Sequence, residues 1–249
     1  MQHSDITIEK NGGFGMPPFT LWVPIALLHC TAGTLLSTLL LDLSLHRSKL
    51  FSIEYPNQAH TMSPKLSLTT TLPLTNSKFK IPQIGFGVYL SPPPTCVQSC
   101  VKAFSAGYRH VDTGIYYDNE KSVGRAFKES KIPRAEIFLT SKILSPGNDV
   151  ESTYKMIEES VKKLDGENGY VDLFLIHTPN GGKESRRIMW LALEKAKEMG
   201  KVRDIGVSNY GIGHIEEIKE IGKLWPPVVN QIEVRVALKP CITLRSILY

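Results

Sequence analysis

The chain has 249 residues, 42% of them hydrophobic, which suffices for one α/β barrel or two small domains with a sizeable core. Its net charge of +5 is mild, and its basic residues are spread among acidic ones. The sequence has no block of basic residues interleaved with aromatics, which argues against a nucleic-acid partner. The four cysteines form neither a CxxC pair nor a zinc-ligand spacing with histidine, which predicts no metal site and favours a reducing, cytoplasmic location.

Residues 19–41 form an apolar segment without Asp, Glu, Lys or Arg. A helix of that length can span a bilayer, at a rise of about 1.5 Å per residue. One interpretation is a membrane anchor, which would place the protein at a membrane. The other is that residues 1–61 are not part of the working protein, because Met62 precedes an ordinary domain start. We therefore predict an N-terminal extension at 1–61, a partial barrel at 62–233 and a divergent tail at 234–249.

From Ser67 onward, apolar strand-like runs alternate with amphipathic helical segments. Residues 67–80 alternate polar and apolar side chains around a turn, which predicts a hairpin. The predicted strands are Ile81–Gly87, Tyr108–Asp112, Ile137–Lys142, Val171–His177, Val202–Ser208 and Val228–Ile232. The predicted helices are Pro94–Ala106, Glu120–Ser130, Val150–Leu164, Glu184–Met199 and Ile212–Ile221.

The strand ends recur at the spacing of one βα unit, and the strands are nearly continuous apolar runs, as in a buried parallel sheet. Such units form either a closed barrel or an open doubly wound sheet. The first strand ends in Gly85-Phe-Gly87 and lacks the third glycine and the acidic residue of a dinucleotide-binding fingerprint. The pattern therefore favours an α/β fold of the (β/α)8 TIM barrel type, with about six βα units in this chain.

Three of the strand-like runs end in residues that can take part in proton transfer. They deliver Asp112, Lys142 and His177 to equivalent positions, and Tyr117 follows shortly after the first. In a barrel these positions form the active-site rim. Each residue alone has a plainer interpretation, such as a solvated lysine, a structural histidine or a turn aspartate. Their equivalent positions in successive units favour a site instead.

These four residues suit proton donation to a carbonyl oxygen. A nearby ammonium is expected to lower the pKa of a tyrosine, and a carboxylate holds that ammonium charged and oriented. An imidazole can hydrogen-bond the carbonyl oxygen. Because no protein side chain donates hydride, the chemistry implies a nicotinamide cofactor.

Several motifs resemble those of the aldo-keto reductase family, in order and at family spacing. The matching stretches are Gly85–Gly87, Gly107–Gly114, Tyr117–Glu120, Val123–Gly124, Thr140–Lys142, Tyr170–Pro179, Gly200–Asn209 and Val229–Glu233. The resemblance implies a (β/α)8 barrel whose bottom is plugged by a hairpin. It also implies NADPH-dependent reduction of aldehydes or ketones, with a small carbonyl compound as the substrate.

The resemblance also implies roles for individual residues. Tyr117 is the expected proton donor, Lys142 lowers its pKa, Asp112 pairs with Lys142, and His177 orients the carbonyl. Thr178 stands where the family often has Trp, so this part of the substrate pocket is expected to differ. The residues expected to bind NADP(H) are Asp112, Ser208, Asn209 and Gln231.

The sequence departs from the family pattern after Glu233. The family continues with two more βα units, which hold the adenosine phosphates, whereas residues 234–249 follow a different pattern. We therefore expect little or no reductase activity from the chain as written. The alternatives are a catalytically inactive, reductase-like binding or regulatory subunit, and the product of a shifted reading frame.

Overall fold

The computed structural model of the protein describes residues 21–22 and 67–233. Its strands are β1 (Leu21–Trp22), β2 (Thr71–Pro73), β3 (Lys80–Pro82), β4 (Gly85–Gly87), β5 (His110–Asp112), β6 (Phe138–Ile143), β7 (Val171–Ile176), β8 (Val202–Ser208) and β9 (Asn230–Gln231). Its α-helices are α1 (Pro93–Ser105), α2 (Glu120–Ser130), α3 (Val150–Asp165), α4 (Gly182–Glu198) and α5 (Ile212–Ile221). The tail 234–249, and all of the apolar segment 19–41 except β1, lie outside the described residues.

None of the helices within residues 67–233 has the length and apolarity needed to cross a bilayer. Strands β4 to β9 run parallel in sequence order, and β1 pairs with β4 in the antiparallel direction. Strands β2 and β3 form a separate antiparallel hairpin. The predicted alternation of strands and helices is therefore confirmed.

The parallel sheet is strongly curled. Asp112 on β5 and Gln231 on β9 are four strand positions apart, which corresponds to about 19 Å in a flat sheet. Nevertheless, Gln231 Nε2 donates a hydrogen bond to Asp112 Oδ2 at 2.9 Å. The described strands thus form a half-barrel, consistent with the predicted TIM barrel.

Most predicted boundaries agree with the structure, and those of α2, α5 and β8 agree to the residue. The prediction of one strand over Ile81–Gly87 is wrong, because the chain divides it between the hairpin strand β3 and the barrel strand β4. Pro82 has no N–H to continue a ladder, and the next N–H, of Gln83, donates to Thr70 of the hairpin at 2.8 Å. The last predicted strand, Val228–Ile232, is shortened to β9.

Side chains alternate between the two faces of the barrel strands. Leu139 and Phe174 face outward and join the core beneath the helices. Leu173 and Leu175 face inward and pack against Leu74 of the β2–β3 hairpin. Successive side chains of a strand point to opposite faces, so every second residue of each strand reaches the barrel interior.

The hairpin is also attached to the barrel by a polar contact. Ser77 Oγ donates to Asp204 Oδ2 on β8 at 2.5 Å, and Asp204 also accepts a hydrogen bond from Lys197 on α4 at 2.6 Å. The hairpin therefore covers the inward-facing side chains in the early parts of β7 and β8. This position agrees with the hairpin plug that the family resemblance implies.

Helix α3 begins at a capping box. The Asp149 carboxylate accepts a hydrogen bond from the Ser152 backbone N–H at 2.7 Å, and Ser152 Oγ accepts one from the Asp149 N–H at 3.0 Å. Two of the unpaired backbone donors at this end of the helix are thereby satisfied. The box fixes the start of α3 just after the loop that follows β6.

His110 is a buried polar residue of the barrel interior. It is 2% exposed on β5, and its Nε2 lies 2.9 Å from Thr140 Oγ1 on β6. Burial lowers the pKa of its imidazole to about 4, and the positive charge of Lys142 acts in the same direction. An unfolded histidine titrates near its ordinary pKa of about 6.5. The fold therefore favours the neutral form of His110.

This shift predicts a loss of stability in mild acid. Because the folded pKa of His110 lies below the unfolded one, its contribution is fully present above about pH 6.5 and is lost as the pH falls toward about 4. The slope amounts to at most about 1.4 kcal/mol per pH unit for one proton. We expect His110→Gln to reduce the fall in unfolding free energy, measured with urea between about pH 7 and about pH 5. His214→Gln on α5 is the control, and equal slopes in His110→Gln and the parent chain would contradict the prediction.

The backbones of α2 and α3 are in direct contact at Gly124. A Cβ at Gly124 would lie 2.3 Å from Lys163 O and 2.8 Å from Leu164 O, and neither carbonyl can turn aside as a flexible side chain can. We expect Gly124→Ala to lower the unfolding free energy by about 2 kcal/mol, because overpacking outweighs the gain in helix propensity. Gly213→Ala on α5 is the matched control, because a Cβ there meets nothing within 4 Å. Equal stability of the two variants in urea denaturation would refute the close contact.

Candidate active site

Four predicted site residues meet at the carboxyl-terminal rim of the half-barrel. Asp112 ends β5, Lys142 lies near the end of β6, and His177 directly follows β7. Tyr117 closes a short 3-10 helix, Ile115–Tyr117, that follows β5. Because the parallel strands end at the same rim and the sheet is curled, residues far apart in sequence face one another there.

Lys142 and Asp112 form a buried ion pair at the centre of this group. Both are 2% exposed, and Lys142 Nζ donates to Asp112 Oδ1. The same ammonium donates to Thr113 O at 2.9 Å and lies 3.4 Å from the Tyr117 hydroxyl. Burial lowers the pKa of Lys142, and the Asp112 charge opposes this shift. The three N–H groups of the ammonium thus have three oxygen partners.

The Tyr117 hydroxyl lies between Lys142 and His177. Its oxygen is 3.4 Å from Lys142 Nζ and 3.4 Å from His177 Nε2. The Tyr117 ring lies edge-on to the His177 ring at a centroid distance of 5.4 Å and packs against Tyr89 at 4.9 Å. The hydroxyl therefore lies near the Lys142 ammonium and the His177 imidazole, whereas the ring is held by aromatic neighbours.

The expected lowering of the Tyr117 pKa is contradicted by the resting site. Burial raises the pKa of Tyr117 above its ordinary value, and the negative charge of Asp112 adds to the increase. The physical reason is that the phenol is buried and that Asp112 compensates the charge of Lys142, so little net positive charge offsets the effect of burial. Tyr117 is consequently protonated throughout the neutral pH range.

His177 is neutral at pH 7 in this environment. Its pKa is lowered to about 4, mainly by burial and then by the positive charge of Lys142. Within the part of the chain that the structure describes, His177 Nδ1 and the neighbouring Thr178 Oγ1 are buried without a hydrogen-bond partner. A neutral imidazole has one donor and one acceptor, so Nε2 can serve either role toward the Tyr117 hydroxyl or a substrate oxygen.

A second polar group lies beside the first, at the ends of β8 and β9. Ser208 Oγ donates to Gln231 O at 2.9 Å, and Asn209 Nδ2 donates to Ser208 Oγ at 3.2 Å. Asn209 has a left-handed backbone, with φ of 58°, and its N–H donates to Gln231 O at 2.8 Å. Gln231 also bonds Asp112, so the two groups are continuous.

The chemistry of this second group fits a nicotinamide carboxamide. A carboxamide offers one acceptor oxygen and one NH2 donor, and the hydroxyl and two amides of Ser208, Asn209 and Gln231 provide both donors and acceptors. Together with Asp112, they are the residues that the resemblance associates with NADP(H). The structure thus brings all seven predicted site residues into one continuous hydrogen-bonded region.

Sequence reasoning missed three residues that shape this region. Tyr89 packs on Tyr117, Thr113 supplies a carbonyl to Lys142, and buried Asn119 hydrogen-bonds to Thr113. Thr113 and Asn119 occur within the quoted motifs, yet nothing in their spacing indicates a partner. Tyr89 follows the first barrel strand by two positions, and this closeness to a strand end was the only feature of the sequence that could have indicated a place in the site.

Comparison with known proteins supports the architecture described above. A sequence profile of the aldo/keto reductase family matches residues 88–243. An uncharacterised oxidoreductase from Schizosaccharomyces pombe is 40% identical over 177 residues, covering 70% of this chain and 61% of that protein. The glyoxal reductase of Bacillus subtilis is 39% identical, covering 67% of this chain and 59% of that protein. The chain therefore spans about three fifths of the length of these relatives.

Solved structures show the same relationship. An aldo/keto reductase from Brucella melitensis is 43% identical, with a TM-score of 0.61, covering 67% of this chain and 63% of that chain. A Bombyx mori aldo-keto reductase in complex with NADP is 28% identical, with a TM-score of 0.59, covering 68% of this chain and 59% of that chain. The fold, the profile match and these similarities together place the chain in the aldo/keto reductase family of oxidoreductases.

Proposed function

We propose that this chain carries the proton-transfer site of an NADPH-dependent reductase that converts aldehydes or ketones to alcohols. The observation that carries the proposal is the position of the Tyr117 hydroxyl, 3.4 Å from both Lys142 Nζ and His177 Nε2. A proton donor between a buried cation and a neutral imidazole suits a carbonyl oxygen that becomes negatively charged as it is reduced.

Tyr117 supplies the proton in this proposal. Its raised pKa keeps the hydroxyl protonated in the resting site, so the proton is retained until an oxygen of sufficient basicity is present. When the O–H bond breaks, the negative charge formed on the phenol oxygen faces the Lys142 ammonium. That stabilisation increases along the reaction, which is the requirement for lowering a barrier rather than only binding substrate.

His177 positions the carbonyl group. Because the pKa of its imidazole is about 4, it is neutral under physiological conditions and can donate a hydrogen bond from Nε2 to a substrate oxygen. A charged imidazolium at this place would add a second positive charge beside Lys142. Burial of His177 therefore selects the protonation state that leaves proton donation to Tyr117.

The reducing equivalent requires a bound cofactor. When bound, NADPH would supply a hydride to the carbonyl carbon and become NADP+, and the oxygen would take the Tyr117 proton, so the carbonyl would become an alcohol. Ser208, Asn209 and Gln231 would hold the carboxamide group of NADPH. Two similarities support this assignment: one relative is named as a glyoxal reductase and one solved relative is in complex with NADP.

We further propose that the reductase unit comprises residues 62–233 and acts in the cytoplasm. The described segment 67–233 contains the half-barrel with its hairpin, and the profile match begins within it at residue 88 and runs ten residues beyond it, to 243. Cys96 and Cys100 on α1 are free thiols, as expected in a reducing compartment. Residues 1–61 and 234–249 are then an extension and a tail, with the membrane anchor at 19–41 as the alternative location signal.

Replacement of Tyr117 tests the reductase assignment. We expect Tyr117→Phe to lower kcat by about two to four orders of magnitude, because the proton donor is lost. NADPH binding, followed by nucleotide fluorescence, should remain, since the ring and its aromatic contacts are kept. Tyr116→Phe is the matched control, because Tyr116 is 62% exposed on the same 3-10 helix and should retain its turnover.

Two results would contradict the assignment. Undiminished aldehyde reduction by Tyr117→Phe would show that another group donates the proton. A folded parent chain that neither binds nor oxidises NADPH would instead favour the reductase-like binding or regulatory subunit.

The ion pair makes a separate prediction about stability. Lys142→Met leaves Asp112 as an uncompensated buried charge, so we expect the unfolding free energy to fall by about 3 kcal/mol or more. Lys142→Met combined with Asp112→Asn should be more stable than Lys142→Met alone. Arg125→Met is the control, because the Arg125–Glu129 pair on α2 is exposed and should contribute less than about 1 kcal/mol. Equal losses from Arg125→Met and Lys142→Met in urea denaturation would argue against a buried, coupled pair.

A further inference from the structure

Both donor hydrogens and the oxygen of the Asn119 side chain are hydrogen-bonded, although Asn119 is not one of the four residues of the proposed proton-transfer site. It is 1% exposed, and its Nδ2 donates to Val88 O at 2.8 Å and to Ser91 O at 3.1 Å. Its Oδ1 accepts a hydrogen bond from Thr113 Oγ1 at 2.7 Å. An amide has two donor hydrogens, and both are directed at carbonyls of the loop between β4 and α1.

These bonds are tertiary contacts, since the side chain has no capping role. Asn119 occupies the N-cap position of α2, where asparagine commonly accepts a hydrogen bond from the first turn of the helix. In this structure its side chain makes no such capping bond. The residue is instead bonded to the loop of residues 88–91, about thirty positions earlier in the chain.

The loop 88–91 carries an aromatic wall of the site in a conformation that needs support. Tyr89 packs on Tyr117 with ring centroids 4.9 Å apart, although Tyr89 itself is 40% exposed. Leu90 has φ of 58°, a left-handed backbone that is unfavourable for a residue with a bulky side chain. External hydrogen bonds to the carbonyls on either side, Val88 and Ser91, hold the turn in this conformation.

Asn119 also acts on the other side of the site. The hydroxyl of Thr113 is bonded to Asn119, and the carbonyl of Thr113 accepts a hydrogen bond from Lys142 Nζ at 2.9 Å. A single buried amide thereby connects the loop that carries Tyr89 with the residue that binds the Lys142 ammonium. The first connection leads to Tyr89 and the second to Lys142, and both of these residues contact Tyr117.

We propose that Asn119 is a positioning residue that holds the loop 88–91, and with it Tyr89, against Tyr117. The role for catalysis rests on the reductase function proposed above, whereas the role in ordering the loop does not. Because Tyr89 packs on the Tyr117 ring, the position of the loop should affect how a carbonyl substrate approaches the proton donor. Loosening the loop should therefore impair carbonyl reduction although the four residues of the proposed site are all retained.

The first experiment measures loop order in the full chain without any assay of activity. Asn119→Asp has nearly the same shape, but it replaces both donors by an oxygen that faces two carbonyl oxygens. We expect amide hydrogen exchange in peptides covering residues 85–92 to become about tenfold faster or more, because two buried hydrogen bonds are lost. Exchange in peptides from α3 should be unchanged.

Two further variants complete the exchange experiment. Asn119→Ala removes the donors without introducing a charge, and it should show the same local acceleration even where Asn119→Asp does not fold. Ser77→Ala removes a half-buried hydrogen bond at the hairpin and should leave exchange at 85–92 as in the parent. The proposal is overturned when Asn119→Ala folds and exchanges at 85–92 as slowly as the parent chain.

The second experiment tests the route from Asn119 to catalysis. We expect Asn119→Ala to lower kcat/KM for an aldehyde by about tenfold, and to have a clearly smaller effect when Tyr89→Ala is already present. An equal effect in both backgrounds would overturn positioning through Tyr89. A folded parent chain that neither binds nor oxidises NADPH would refute the proposed function, whereas the exchange result would still decide whether Asn119 orders the loop.

Discussion

The contact between Lys142 and Asp112 determines where the other groups of the site lie. Each residue is 2% exposed, and a charge so far from water is stable only with a close partner of opposite sign and full hydrogen bonding. Lys142 meets this requirement with three oxygens, from Asp112, Thr113 and Tyr117. Asp112 meets it with Lys142 and Gln231. Because the buried charges need hydrogen-bond partners, the Tyr117 phenol, the Thr113 carbonyl and the Gln231 amide all lie next to the ion pair.

That geometry depends on the register of the parallel strands. Lys142 is paired with Leu175, and Asp112 with Thr140, so the side chains enter the interior at staggered heights. A slip of one residue would turn Lys142 outward beneath the helices, away from Asp112 and the other oxygens that now surround its ammonium. The outward residues Leu139 and Ile143 would then face the interior. Apolar packing on the outside and ion pairing on the inside thus favour the same register.

Much of this arrangement could be predicted from the sequence because it follows from local periodicity. Apolar runs of fixed spacing place Asp112, Lys142 and His177 at strand ends, and parallel strands bring such ends to one rim. The division between β3 and β4 was not predictable in the same way, because the apolar run is continuous and only the hairpin partner separates its halves. Asn119 shows the same limit, since its sequence position indicates a helix cap, whereas its partners are carbonyls of a distant loop.

The pKa of Tyr117 was mispredicted because sequence identifies a neighbouring cation but not how deeply the phenol is buried. The raised pKa of Tyr117 and the proposed proton donation are consistent once the timing of charge is considered. In the resting site, the charges of Lys142 and Asp112 largely cancel at the phenol, and burial then favours the neutral hydroxyl. In the proposed reduction, negative charge would develop on the substrate oxygen and then pass to the phenol oxygen, which lies 3.4 Å from Lys142 Nζ. The ammonium is already in place and needs no reorganisation, which is the condition under which a buried charge stabilises a transition state strongly. The Lys142 ammonium, whose charge Asp112 compensates in the resting site, is in this proposal also the preorganised group that stabilises the Tyr117 anion.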